Sequence, residues 1–215
     1  MIPVKTKRYH HGNLREELVR VGLDLAREGG PPAIKLREAA RRIGVTPSAA
    51  YRHFAGQEGL LLAVKAEVLR ELTVAMTAKV QALPEDSSPF AKVRAASAAY
   101  FEFGILTTGL YGVLLDTVDN LPHLSRDVQE KVATDLDAVE MVYPSTRFPF
   151  TYMLTLVAQT QASRNERFDT ALVVWAAVHG ITTMCATGPL RLEPVEHKRS
   201  LFETTINSIA QGLKI

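Results

Sequence analysis

Apolar residues recur at helical spacing along almost the whole chain, whereas the alternating pattern typical of strands is nearly absent. The first apolar row consists of Leu14, Leu18, Val21 and Leu25. It predicts a helix that begins after Asn13, a good N-cap residue, and ends at the glycines of residues 29–30.

Two short helices are predicted next. The apolar positions i, i+3, i+4 and i+7 of the first are Leu36, Ala39, Ala40 and Ile43. Gly44 is expected to end it, because glycine adopts positive φ without steric cost. The stretch GVTPSAAYRHF then predicts a second short helix from Thr46 to Phe54, with Thr46 as its N-cap and Pro47 at its first position.

Longer helices are predicted for the remainder of the chain, with Pro- and Gly-containing turns between several of them. Their expected spans are residues 57–83, 90–107, 110–118, 125–142, 150–163, 167–187 and 195–213. The sequence therefore predicts an all-α protein.

A helix, a glycine turn and a second helix in close succession have the spacing of a helix-turn-helix. In that motif the second helix enters the DNA major groove and the first lies across the backbone. Ala49 and Ala50 keep the second helix thin, and Val45, Ala50 and Phe54 are expected to anchor it. The residues predicted to contact DNA are Lys35, Arg37, Thr46, Pro47, Ser48, Ala49, Tyr51, Arg52 and His53. Arg41 and Arg42 are expected to extend the basic rim.

The distribution of charge agrees with a polyanion partner for the N-terminal part alone. The net charge is only +2, but residues 1–65 hold 12 Lys and Arg against six Asp and Glu. The other 150 residues hold 13 against 17. Residues 5–10, KTKRYH, are interpreted either as an arm that reaches phosphates or a minor groove, or as a solvated tail.

The composition predicts a protein of the cytoplasm without a membrane span. Cys185 is the single cysteine, which excludes an internal disulfide framework. The N-terminal stretch lacks the apolar segment of a signal peptide. The longest apolar run, residues 171–186, has 16 residues and carries His179, so it is more typical of a buried helix.

The stretch LREAARRIGVTPSAAYRHFAGQEGLLLAV resembles the DNA-binding segment of the TetR family of bacterial one-component transcriptional repressors. The Gly44-Val45 turn and the Tyr51-x-His53-Phe54 signature carry the resemblance, and VWAAVHGI, around Trp175 and His179, resembles the WHG-type C-terminal domain of some members. Two residues depart from the family pattern. Lys35 stands where a capping Ser or Thr is common, and Gln57 stands where a phosphate-binding Lys is common.

The resemblance implies three parts: a flexible basic arm at 1–12, a three-helix DNA-binding head with the helix-turn-helix at 13–56, and a ligand-binding and dimerisation body at 57–215. The expected partners are a pseudo-palindromic operator, a second copy of the chain, and a small apolar ligand. The helices at about 167–187 and 195–213 carry wide apolar stripes that predict a homodimer, although one body burying both stripes internally is the alternative.

Aromatic and apolar residues of the body are the candidate ligand lining, and they are Tyr100, Phe101, Phe103, Tyr111, Leu114, Met153, Trp175 and His179. For His179, a core histidine with a satisfied hydrogen bond is favoured over a ligand contact. No metal or cofactor is expected, since ligand spacings and catalytic motifs are missing from the sequence, and an enzyme is only a remote alternative. An activator or an architectural protein without an inducer is the closer alternative to a repressor.

Overall fold

The computed structural model describes residues 14–115, 147–160 and 167–213, and these residues are helical without a strand. The helices are α1 (Leu14–Gly29), α2 (Leu36–Ile43), α3 (Pro47–Tyr51), α4 (Gln57–Gln81), α5 (Pro89–Leu106), α6 (Thr108–Leu115), α7 (Arg147–Val157), α8 (Arg167–Ala186) and α9 (Val195–Leu213). A 3₁₀ turn, Pro31–Ala33, joins α1 to α2.

The all-α prediction is confirmed, and most helix bounds agree with it within three residues. The helix predicted for 150–163 is shifted, because α7 already begins at Arg147 and ends at Val157. Pro149 is tolerated in its first turn, where backbone N–H groups have no helical partner. Gln159 and Thr160 then donate to carbonyls three residues back, which tightens and ends the helix. The helix predicted for 125–142 and the N-cap at Asn13 lie outside the described residues.

The N-terminal helices share one apolar core, which we call the head cluster. It is formed by buried residues of α1, α2, α3, the first half of α4 and α6, among them Leu18, Leu36, Ala50, Leu60 and Val64. Gly22 lets α1 and α4 approach closely, since a Cβ at this position would overlap the Val64 side chain. The short helices α2 and α3 pack on α1 and on each other, so they depend on this tertiary packing for their stability.

A second core, the body cluster, lies among α4 to α9. Leu72 and Met76 of α4 belong to it, together with Phe101 and Phe202, whose rings stack 4.8 Å apart between α5 and α9. Of the described helices, α8 is the one long and apolar enough to cross a membrane. In this structure it packs instead against α5, α7 and α9.

Helix α6 connects the two clusters. It follows α5 after a bend of 107°. Leu110 and Val113 are buried in the head cluster, whereas Tyr111 is buried in the body cluster. Gly109 lies against the end of α1, and a Cβ there would overlap the carbonyl oxygen of Ala26. Helix α6 thus joins the head to the body, and Gly109 allows its close approach to α1.

We expect Gly109→Ala to destabilise the protein, because the new methyl group meets backbone atoms that cannot move away cheaply. The free energy of unfolding should fall by about 1–3 kcal/mol, the usual cost of overpacking. Urea denaturation followed by circular dichroism measures it. Gly59→Ala is the control, since a Cβ there comes no closer than 3.7 Å to Phe54. Equal stability of the two variants would contradict the close contact.

Candidate nucleic-acid interface

The turn between α2 and α3 is set by Gly44. This residue adopts left-handed φ and ψ of 81° and 27°, and its N–H donates to the carbonyls of Ala40 and Arg41. Thr46 then caps α3, with its side-chain oxygen accepting from the N–H of Ala49 at 3.3 Å. Lys35, as the sequence predicts, gives α2 no side-chain cap. Glycine and threonine together fix the angle between the two helices of the motif.

Helix α3 is shorter than the predicted helix from Thr46 to Phe54. It spans Pro47–Tyr51, and Arg52 and His53 lie in the turn that follows. The N–H groups of Arg52 and His53 donate to carbonyls three residues back, which closes the helix with a tight last turn. Phe54 then enters the head cluster at 4% exposure, and Gly56, with φ of 115°, redirects the chain into α4.

The outer face of the motif is exposed and chemically mixed. Ala50 is fully buried beneath it, and Val45 is partly buried against the head cluster, so the predicted anchoring residues do anchor the helix. Tyr51 is 47% exposed, which is unusual for so large a side chain. Eight of the nine residues predicted to contact DNA are exposed and one, Ala49, is half-buried; the eight are Lys35, Arg37, Thr46, Pro47, Ser48, Tyr51, Arg52 and His53.

The cations of residues 14–64 fall into two groups. Four have carboxylate partners: Arg20, Arg27, Arg41 and Arg42. Four have no ion pair among the described residues: Arg15, Lys35, Arg37 and Arg52. The second group lies at the start of α1, at the start of α2 and directly after α3. Arg52 thus directly follows α3 and Arg15 lies over the Phe54 ring, while Lys35 and Arg37 lie at the start of α2.

Arg41 and Arg42, which are expected to extend the basic rim, are exposed and paired with carboxylates. Arg42 binds Glu28 of α1 through two bonds of 2.6 Å and also reaches Glu38, while Arg41 forms two bonds with Glu38. Glu38 precedes these arginines by three and four positions, so the helix places all three side chains together. The Arg41 and Arg42 hydrogen bonds lower the pKa of Glu38 from 4.5 to about 2. Arg42 thereby joins α2 to α1, whereas Arg41 pairs within α2.

The candidate ligand residues of the body pack against one another. Tyr100, Phe101, Tyr111 and Met153 are at most 2% exposed, and Phe103, Leu114, Trp175 and His179 are partly buried beside them. The Tyr100 hydroxyl lies 2.7 Å from Nδ1 of His179, and the Tyr111 hydroxyl lies 2.9 Å from that of Thr183. Burial lowers the pKa of His179, which favours neutral imidazole.

Two findings in this cluster bear on a ligand. The hydrogen bond of His179 is what a core histidine requires, and contact with a ligand stays a prediction. Ser97, one helical turn before Phe101 on α5, is fully buried, and its hydroxyl has no hydrogen-bond partner among the described residues. Within those residues no group of three or more His, Cys, Asp or Glu is placed to hold a metal ion.

Comparisons with known proteins agree with this geometry. Residues 18–64 match the family model described as bacterial regulatory proteins, tetR family. A protein of unknown function from Rhodococcus sp. RHA1 has 23% identity and a TM-score of 0.71, covering 97% of this chain and 99% of its own. A transcriptional regulator from the same Rhodococcus has 20% identity and a TM-score of 0.62, with 94% and 98% covered. A tetR-family transcriptional regulator from Streptomyces coelicolor has 16% identity and a TM-score of 0.60, with 94% and 81% covered. No curated protein matches the sequence.

The fold and the exposed motif define a helix-turn-helix protein with an attached helical body. The family match covers α1 from Leu18 onward, the whole motif and the start of α4. Residues 18–64 thus match a TetR-family DNA-binding domain, and this match supports a DNA-binding transcriptional regulator of that family. The structural neighbours extend the agreement in fold to nearly the whole chain, and the WHG-type resemblance around Trp175 remains a prediction.

We expect Glu38→Gln to lower the melting temperature at neutral pH. The difference in melting temperature from the wild type should become smaller as the pH falls. The folded-state pKa of about 2 lies below the ordinary 4.5, so the ionised carboxylate stabilises the fold above pH 4.5. This stabilisation is lost as the pH falls from 4.5 to about 2. Melting curves of both proteins between pH 2 and 7 measure it, with the exposed Glu85→Gln as control. A difference that stays constant across this range would contradict the ion-pair network.

Proposed function

We propose that this regulator is a repressor whose homodimer binds a pseudo-palindromic operator through the segment 46–54 of each copy. The observation that carries the proposal is the exposed outer face of the helix-turn-helix, together with the exposed cations of the head that have no ion pair among the described residues. One such motif reads only a few base pairs, so two copies related by a two-fold axis are needed for a specific site. Repression itself is supported by the family resemblance alone, and an activator or an architectural protein remains the alternative.

The side chains of the motif suit separate tasks on DNA. Arg52 offers two parallel N–H groups to guanine or to a phosphate. Ser48 lies one turn before it, and Pro47 and Tyr51 form the adjoining row. The hydroxyls of Thr46 and Tyr51 suit phosphates, and His53 follows on the same exposed turn. Lys35 and Arg37, at the start of α2, would meet the backbone that this helix crosses.

Fluorescence anisotropy tests DNA binding with a fragment selected from a genomic or random library. We expect a Tyr51→Ala, Arg52→Ala double variant to bind the selected fragment at least tenfold more weakly, because a good bidentate base contact alone contributes about 1–3 kcal/mol. The control is Arg27→Ala, a cation held by Glu71 and Asp24 away from the motif. A double variant that binds as tightly as the wild type would contradict the proposal.

The dimer is proposed to form through α8 and α9, and α8 provides its apolar surface. Leu172, Val173 and Met184 are 37%, 47% and 44% exposed on that helix. The predicted stripe of α9 is largely used within the chain, because Phe202 and Ile206 are buried in the body cluster. The outward face of α9 carries small and polar residues, which are Ser200, Thr204, Asn207, Ser208 and Gln211. A partner copy would therefore cover apolar α8 beside a polar rim.

We expect a Val173→Glu, Met184→Glu double variant to be a folded monomer, because charges in the centre of an apolar interface lose their hydration. Sedimentation velocity gives the mass, and circular dichroism confirms helical content. Val74→Glu serves as control, since Val74 is 55% exposed on α4, outside this surface. A double variant with the mass of a dimer would place the interface elsewhere.

Release of DNA by a small apolar ligand in the body is the last part of the proposal. The aromatic cluster around Tyr100 and Trp175 and the unpartnered Ser97 hydroxyl support it, since apolar walls with few polar groups suit such ligands. Helix α6 offers a route to the head, because Tyr111 bonds to α8 while its neighbours lie in the head cluster. Small molecules added to the anisotropy experiment test release directly. The cytoplasm is the proposed location.

A further inference from the structure

Arg15 is one of the four cations of residues 14–64 without an ion pair among the described residues, and sequence reasoning gives it no role. It lies in the first turn of α1, and its guanidinium carbon stands 5.0 Å from the centre of the Phe54 ring. Phe54 follows the exposed segment Tyr51–His53 directly. The geometry therefore brings the start of α1 to the end of the helix-turn-helix.

The contact with Phe54 positions Arg15 without using its hydrogen-bonding capacity. A guanidinium over an aromatic face is held by cation–π attraction, while its five N–H donors point outward in the plane of the group. Phe54 is itself fixed, because it is 4% exposed within the head cluster. Gly59 of α4 packs against it as well, since a Cβ there would lie 3.7 Å from the Phe54 side chain. The guanidinium is thus exposed and oriented, and it has no ion pair within the residues that the structure describes.

The other arginines of α1 show that such freedom is not general on this helix. Arg20 binds Glu17 and Asp24, and Arg27 binds Asp24 and Glu71. Carboxylates therefore neutralise the α1 cations beyond its first turn, and the unneutralised one is the one beside the motif. Lys35, Arg37 and Arg52 likewise have no ion pair within the described part of the chain. Exposed cations of the head without carboxylate partners there suit a polyanion, and a phosphodiester has the matching charge and geometry.

We propose that Arg15 binds a backbone phosphate of the DNA beside α3 and that Phe54 holds its guanidinium in place for this contact. The inference rests on the proposed DNA binding and adds a contact outside the helix-turn-helix. Arg15 contributes affinity for any sequence, because phosphates carry no base identity. It also supplies a phosphate contact in a head that lacks the common lysine at Gln57.

The salt dependence of DNA binding tests the proposal. Arg15→Met keeps a side chain that packs on the ring through its sulfur but removes the charge, and Arg15→Lys keeps the charge. We expect the slope of log K against log salt to become shallower in Arg15→Met by about 0.9 for each contact, or about 1.8 for a dimer. Arg15→Lys should keep the wild-type slope. Affinity for selected and random fragments should fall by the same factor in Arg15→Met.

Arg94→Met is the matched control. Arg94 is an exposed arginine of α5 that Glu203 of α9 neutralises, and both residues belong to the body. Its variant should keep the wild-type slope. An Arg15→Met protein with an unchanged slope and a lowered melting temperature would overturn the proposal, because Arg15 would then only stabilise the head. If Arg15→Met fails to fold, the salt slope is measured with Arg15→Gln, which also removes the charge.

DNA binding by the motif and the phosphate contact of Arg15 are contradicted by different results. If wild-type protein binds no DNA, the proposed function fails and the Arg15 contact fails with it. If the wild type binds and the Tyr51→Ala, Arg52→Ala variant does not, an unchanged slope in Arg15→Met and Arg15→Gln overturns the Arg15 contact alone.

Discussion

Helix α4 is the element on which the rest of the structure depends, because its two halves belong to different cores. Leu60, Val64 and Val68 are buried in the head cluster, and Leu72 and Met76 are buried in the body cluster. A helix of 25 residues is about 37 Å long, and the same helix runs through both cores. A movement of the head cluster therefore also moves the part of α4 that lies in the body cluster. Its first half closes the core of the head, in which α2 and α3 pack on α1 and on each other, and its second half packs against α5 and α7 of the body.

The spacing of carboxylates decides which positive charges of the head remain available to a polyanion. Glu28 and Glu38 occupy Arg41 and Arg42, and Glu17, Asp24 and Glu71 occupy the later arginines of α1. The paired cations join helices or brace a single helix, whereas Arg15, Lys35, Arg37 and Arg52 have no ion pair among the residues that the structure describes. Counting charges along the chain therefore detects the basic head, but only the three-dimensional pairing separates the arginines held by carboxylates from those left exposed.

The sequence predicts most of the fold because capping and breaking residues are local. Gly44, Thr46 and the glycines after α1 act within a few residues, and the bounds of α2 and α9 agree with prediction. The early end of α3 depends on Phe54 entering a core made by other helices. The pairing of Arg42 depends on Glu28, which lies on a different helix. The burial of Phe202 and Ile206 of α9 depends on α5 and α8, which the periodicity of α9 alone does not reveal. Sequence patterns therefore do not show the features that a distant residue decides.

The insertion of α6 into the head cluster has a consequence for recombination between relatives. Leu110 and Val113 complete the core of the head although they come from the middle of the chain. In a chimera of the first 56 residues with the body of another regulator, the positions of Leu110 and Val113 in the head cluster would be filled by different side chains. The smallest exchangeable module of this protein therefore extends to residue 115, through α4, α5 and α6, and the recognition specificity of the head cannot be transplanted by its motif alone.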